Sequence, residues 1–206
     1  MNDPVRFTLA STSPARLATL RAAGIEPVAI APGVDEEAAV AAAGPLSPPD
    51  MVMLLARLKA EAVAAAHPDL DGLIFGGDSA FELGGAVYGK PHRPEIARER
   101  WLAQRGRSGQ LHSGHWLIDA RSGRAVGAPA VATVNFATDI TDAEIDAYIA
   151  SGEPLEVAGA FTIDAKGAAY IESIEGDPHA VVGLSIPLLR TLTRSLAIEW
   201  HDLWNR

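Results

Sequence analysis

The 206-residue sequence contains no cysteine. Disulfides, thiolate metal sites and a cysteine nucleophile are therefore excluded. It also lacks any apolar run near the ~20 residues that a membrane-spanning helix needs. Met1 to Arg6 has neither the basic start nor the apolar stretch of a signal peptide, so a cytosolic protein without a membrane partner is expected. Positive charge is in the minority: 17 Lys and Arg face 26 Asp and Glu, a net charge of −9. That argues against non-specific binding to nucleic acid, although a few converging cations can still hold a small anion. With 48% hydrophobic and 21% charged residues, the composition is that of a globular domain, read as a single unit over residues 1–206.

Strand-like and helix-like segments alternate along the chain. Phe7-Thr8-Leu9-Ala10 reads as a short strand. Ser11-Thr12-Ser13-Pro14 then gives a helix start, and Leu17, Leu20 and Ala23 recur at helical spacing up to Gly24. Pro27 to Ile30 is a second strand, and residues 38–49 read as a loop with a frayed helical piece. A long helix runs from about Pro49 to Ala66, with Lys59 in its middle. Leu73 to Asp78 reads as a buried strand ending in a turn. Gly84-Gly85 makes a hairpin, because both central residues of that turn need positive φ. A helix over Pro94 to Gln104 follows, then long strands over Leu111 to Ala120 and Ala130 to Ala137. Thr141-Asp142-Ala143-Glu144 is a capping-box pattern that opens a helix to about Ser151. Segments Val157 to Phe161 and Ala168 to Ile174, and a final helix from about Ser185 to Leu196, complete the reading. The order predicts an α/β protein without repeats or linkers.

Several residues could carry chemistry. Gly84 to Lys90 has the spacing of a phosphate-binding P-loop, but Pro91 stands where that loop needs Ser or Thr for magnesium, and its glycines fall in a hairpin. This leaves Lys90 as either a phosphate ligand in another scaffold or a surface lysine. Ser11 to Arg16 places hydroxyls and backbone N–H groups at the positive end of a helix, with a fork-shaped cation beside them. Helix capping by Ser13 with an exposed Arg16 would give the same sequence. Asp78 after two glycines suits metal binding or water activation, and equally a turn aspartate bonded to its own backbone. Asp35-Glu36 is a second acidic pair, and a solvated loop would explain it too. The six histidines show no zinc spacing; His112 and His115 would face opposite sides of a strand. The arginines at 93, 98, 100, 105 and 107 are interleaved with Glu95 and Glu99, as on a solvated helix face.

These signals occur in a telling order. Ser11-Thr12-Ser13-Pro14 with Arg16 comes first, followed by Asp35-Glu36, Lys59, Gly77-Asp78-Ser79 and Gly89-Lys90-Pro91. Gly152-Glu153-Pro154, Ala158-Gly159-Ala160-Phe161 and Val181-Val182-Gly183-Leu184 complete it. Over roughly residues 7 to 195 this series resembles the Maf family. The resemblance implies a strongly twisted mixed β-sheet flanked by helices, with two lobes around a substrate cleft, as in inosine triphosphate pyrophosphatases. It implies hydrolysis of a nucleoside triphosphate to monophosphate and pyrophosphate by metal-assisted attack of water at the α-phosphate. A divalent cation, Mg²⁺ or Mn²⁺, is implied as cofactor. Asp78 would be the catalytic carboxylate, either orienting the attacking water directly or holding the metal that activates it, with Glu36 sharing that metal. Lys59, Lys90 and Arg16 would be catalytic cations, with Ser11 and Ser13 at the substrate. House-cleaning of unwanted nucleotides is the implied role, with a link to cell-division arrest and a homodimeric assembly. A non-catalytic nucleotide-binding regulator of septum formation is the alternative.

Three positions depart from the common pattern of the family. Ala15 stands where most relatives have a second arginine. Ser79 replaces the threonine typical of the thymidine/uridine branch, and Asp164 replaces its glutamine. These positions are associated with substrate choice. A carboxylate can accept from the N–H groups of a guanine edge, whereas glutamine both donates and accepts. The pattern therefore points to modified guanine nucleotides such as 7-methyl-GTP rather than dTTP and UTP.

Overall fold

The structure, a computed structural model, describes residues 4–206. The reading of Met1 to Asp3 as part of a segment without a leader's pattern lies outside those residues. Seven strands form a mixed sheet: β1 (Phe7–Ala10), β2 (Val28–Ala29), β3 (Leu73–Leu83), β4 (Ala86–Tyr88), β5 (Ser108–Asp119), β6 (Ala125–Phe136) and β7 (Ile171–Gly176). Their hydrogen-bonded order is β2-β1-β3-β5-β6-β7, with β4 also paired to β3. The helices are α1 (Pro14–Ala22), α2 (Glu36–Ala43), α3 (Pro48–Ala66), α4 (Pro94–Gln104), α5 (Asp142–Ala150), α6 (Pro178–Val182) and α7 (Ile186–Ser195). Among the described residues, no helix is long and apolar enough to cross a membrane.

The chain divides into two compact units. One comprises Met1–Asp78, Ser113–Ala130 and Gly183–Arg206, the other Ser79–His112 and Val131–Val182. In the first unit, β1 runs parallel to β2 (Leu9 beside Ala29) and to β3 (Ala10 beside Gly76). Every residue of β1 is buried, as expected of a parallel strand covered on both faces. Strand alternation sorts its side chains. Phe7, Leu9, Leu73 and Phe75 pack with Leu20 near α1 and with Leu189, Leu192 and Leu196 near α7. Ala10 and Ile74 pack with Ala60 and Val63 of α3. Each large side chain so buried contributes about 1.5–3 kcal/mol.

Two glycines let α3 lie close on the sheet. A Cβ on Gly76 would run into the backbone oxygen of Ala56 and the nitrogen of Ala60, and one on Gly114 into the backbone of Val52 and Met53. Ala56 and Ala60 are fully buried at this contact. The close approach matters because Lys59 is the neighbour of Ala60, and Asp78 lies two residues beyond Gly76.

In the second unit an aromatic core joins Phe81, Trp101, Phe136, Tyr148, Phe161 and Tyr170, with ring centroids 5.1–5.9 Å apart. The expected hairpin is present: Gly84 (φ 60°) and Gly85 (φ 85°) turn β3 into antiparallel β4. The capping box is present as well, Thr141 and Glu144 bonding reciprocally at the start of α5. Val157 to Phe161 forms a short 3₁₀ turn over Ala158–Ala160. Its carbonyls are held by buried side chains, Trp101 Nε1 donating to Ala160 O at 2.7 Å and Gln104 Nε2 to Gly159 O at 2.6 Å.

Two local expectations are corrected. β3 does not end at Asp78 but continues to Leu83, so Asp78 sits inside a strand rather than at a turn. The helical piece expected within residues 38–49 is a full helix, α2, that already begins at Glu36, so Asp35-Glu36 does not lie in a solvated loop. Asp35 is the cap of α2, accepting from the Ala38 N–H at 3.0 Å, and a run of alanines continues the helix.

Candidate active site

β1 is a switch point. From β1 the chain passes through α1 to β2 on one side, then through α2 and α3 to β3 on the other. Open α/β sheets bind ligands beyond the carboxyl end of such a strand. Here that end carries the turn Ser11-Thr12-Ser13 and the start of α1.

The turn is tied internally. Ser13 N donates to Ser11 Oγ at 3.1 Å, and Ser13 Oγ caps α1 by accepting from Arg16 N at 3.4 Å. Pro14 at the first helical position has no N–H to satisfy. Ala15 holds the second position, and its N–H finds no acceptor among the described residues. Arg16, 8% exposed, turns back toward the strand end. Its Nε donates to Gly183 O at 2.8 Å and its Nη1 to Ser11 Oγ at 3.4 Å. Gly77 makes room for it, since a Cβ there would lie 3.0 Å from Arg16 Nε. Burial lowers the guanidinium's pKa, and the charges of Asp78 and Glu36 oppose that shift.

Lys59 reaches from α3 to two carboxylates at once. Its Nζ lies 2.6 Å from Asp78 Oδ1 and 2.8 Å from Glu36 Oε1. The Lys59 and Asp78 side chains are 8% and 12% exposed, while Glu36 at the start of α2 is 48% exposed. Burial pushes the Asp78 carboxyl above its ordinary range; Lys59 and Arg16 pull it back, and Glu36 adds to the rise. Of the residues singled out in the sequence, Ser11, Ser13, Ala15, Arg16, Glu36, Lys59 and Asp78 fall in this unit. Ser79, Lys90 and Asp164 belong to the other, where Lys90 and Asp164 are exposed and Ser79 is half-buried.

What holds Arg16 is not visible in any local sequence pattern. His115, fully buried on β5, has Nδ1 3.0 Å from Ser113 O, and its Nε2 accepts from Ser185 N at 2.8 Å. A backbone carbonyl can only accept and an N–H can only donate, which fixes the neutral ring with its proton on Nδ1. The segment so anchored begins at Gly183, whose carbonyl takes Arg16 Nε. His115 and Ser185 are 70 positions apart, and no local pattern links them.

Fold and geometry define a class: an α/β protein whose parallel switch point gathers a capped helix start, two buried cations and a buried carboxylate. The family described as Maf-like protein matches residues 6–196, and the chain belongs to that family. A nucleoside triphosphate pyrophosphatase of Leifsonia xyli subsp. xyli (strain CTCB07) is 70% identical, with 98% of each chain covered. Proteins of the same name from Salinispora tropica and Streptomyces coelicolor are each 48% identical. They cover 98% and 97% of this chain, and 89% and 94% of their own length is matched. Among solved structures, the Staphylococcus aureus Ham1 protein is similar at a TM-score of 0.49 and 14% identity, over 93% of this chain and 99% of that one.

Proposed function

We propose that this protein hydrolyses nucleoside triphosphates to the monophosphate and pyrophosphate by attack of water at the α-phosphorus. Its relatives carry the name of that activity. The observation that carries the reading is Lys59 bridging Asp78 and Glu36 beside Arg16. A buried carboxylate beside a polyanion would weaken simple binding, so its presence there favours chemistry over a binding-only role.

In this reading Ser11, Ser13 and the Ala15 N–H receive phosphate oxygens at the positive end of α1. Arg16 adds a fork of N–H donors to the charge that develops in the transition state. Lys59 fixes Asp78 through Oδ1. Oδ2, the oxygen not bonded to Lys59, is left either to orient the attacking water and accept its proton or to hold the cation that activates that water. Lys90, Ser79 and Asp164 enter on their sequence positions: Lys90 for the departing pyrophosphate, Ser79 and Asp164 for the nucleoside. A carboxylate at 164 favours modified guanine nucleotides over dTTP and UTP.

The donor set suits a divalent cation. Among the described residues no group of three or more His, Asp or Glu side chains forms a closed metal cage. Glu36 and Asp78 instead offer two carboxylates, and Mg²⁺ is commonly held by one or two carboxylates together with substrate phosphates. When bound there, the cation would supply positive charge to the phosphoryl oxygens. A net charge of −9 argues against nucleic-acid and membrane-surface partners, and the cytosolic setting rests on the sequence reading. The homodimer and the link to cell division rest on the family resemblance.

The test is pyrophosphate release with Mg²⁺ or Mn²⁺ across normal and modified triphosphates, with Asp78→Asn alongside. Release that disappears in Asp78→Asn supports the reading. Nucleotide binding without turnover in either metal would instead favour the regulator of septum formation.

A further inference from the structure

Glu153 gathers four donors onto one carboxylate. Its Oε1 accepts from Thr162 Oγ1 at 2.6 Å, from Gly167 N at 3.0 Å and from Tyr148 Oη at 3.0 Å. Its Oε2 accepts from Lys166 N at 3.2 Å. Thr162 and Gly167 are the two ends of one short excursion of the chain, and Asp164 lies within it, exposed. The neck is tight: a Cβ on Gly167 would lie 2.6 Å from both Thr162 O and Tyr148 Oη. Glu153 itself is set by its flanks. Gly152 turns the chain out of α5 with φ 77°, and Pro154 is buried as the 3₁₀ turn Glu153–Glu156 begins.

Burial opposes the charge on Glu153, but its donors prevail, the Thr162 hydroxyl first, and hold the carboxyl below its ordinary range. The acceptor is therefore ionised, which makes these hydrogen bonds stronger than neutral ones. A flexible loop would present Asp164 in many directions. A loop closed at both ends by one carboxylate presents it in few, and ordering done during folding need not be repeated on binding.

We propose that Glu153 is a positioning residue for substrate choice: its carboxylate closes the 162–167 loop and so fixes the direction in which Asp164 meets the nucleotide base. This rests on the reading of Asp164 as a base-recognition residue. Glu153 makes no contact with substrate in this account and acts only through the loop. Its neutral counterpart keeps the shape but replaces one acceptor oxygen by an NH₂ group, which cannot take a backbone N–H.

Two measurements separate the parts. Hydrogen exchange reads the clamp directly, at the amides of Lys166 and Gly167. Calorimetric dissociation constants for GTP and dTTP read base preference without needing turnover. In Glu153→Gln the two amides should exchange faster, and the GTP-to-dTTP affinity ratio should change about tenfold, the worth of one hydrogen bond to a charged group. In an Asp164→Ala background the same substitution should leave the ratio unmoved, while exchange still quickens. Thr162→Val, which removes one donor and keeps the carboxylate, should give a smaller change in both readings and guards against a Gln variant that does not fold. Unchanged exchange in a folded Glu153→Gln would overturn the clamp. An equal change of ratio with and without Asp164, or no change of ratio in Asp164→Ala itself, would overturn the route through Asp164. Pyrophosphate release, assayed separately, tests the enzymatic reading and is not engaged by either result.

Discussion

Replacing Lys59 by methionine removes the ammonium and keeps most of the stem, so the loss reads the charge rather than the packing. Breaking a buried ion pair by removing one partner costs about 3–5 kcal/mol, because the other charge is left uncompensated. Here the lower end applies, since Arg16 also acts on Asp78. The Glu36 arm is half exposed and adds less than about 1 kcal/mol. Asp78 has an escape, however: it can take a proton. Its carboxyl is already raised by burial. A raised acid contributes its stability at low pH and loses it as pH climbs through the folded-state value. Without Lys59 that value rises further. The loss relative to the parent should therefore be smaller at the lower pH and grow by up to about 1.4 kcal/mol per pH unit until Asp78 ionises in the variant. Urea unfolding midpoints for parent and Lys59→Met, in metal-free buffer at about pH 5 and pH 8, would measure it. An equal loss at both pH values would refute the coupling between Lys59 and the charge on Asp78.

Three further outcomes follow from other contacts. Gly76→Ala forces a Cβ into the backbone of Ala56 and Ala60. It should destabilise by about 1–3 kcal/mol and lower kcat more than thermal stability suggests, because α3 carries Lys59; calorimetry and steady-state kinetics together check this. His115→Phe leaves the buried Ser185 N–H without its acceptor. We expect a loss of about 1–3 kcal/mol in urea unfolding and a raised KM, since the Gly183 carbonyl that holds Arg16 is displaced. Thr141→Ala removes one half of the capping box. It should lower unfolding stability by about 0.5–2 kcal/mol and leave nucleotide turnover unaltered.

Much of the fold was legible because local chemistry and tertiary structure agree. Pro94 to Gln104 became a helix with those bounds, Gly84-Gly85 turned as two positive-φ residues must, and Thr141 and Glu144 capped each other. Where the reading went astray, long-range partners decided. Two glycines before Asp78 suggested a turn, yet they serve close packing. Gly76 admits α3 and Gly77 admits Arg16, and β3 runs on through both. Asp35 and Glu36 read as one acidic pair, yet Asp35 is a helix cap, and of the two only Glu36 reaches Lys59. That Lys59, Asp78 and Glu36 converge could not be read from spacing, because the convergence depends on how closely α3 approaches the sheet. The Glu153 clamp was hidden for the same reason: two of its four donors are backbone N–H groups, which leave no mark in a sequence.

The position of bond cleavage tests the central claim most directly. A nucleoside triphosphate would be hydrolysed in ¹⁸O-labelled water with Mg²⁺ and the products weighed by mass spectrometry. Attack at the α-phosphorus puts the label in the nucleoside monophosphate and leaves the released pyrophosphate unlabelled. Label in pyrophosphate, or release of inorganic phosphate with a nucleoside diphosphate, would contradict the account.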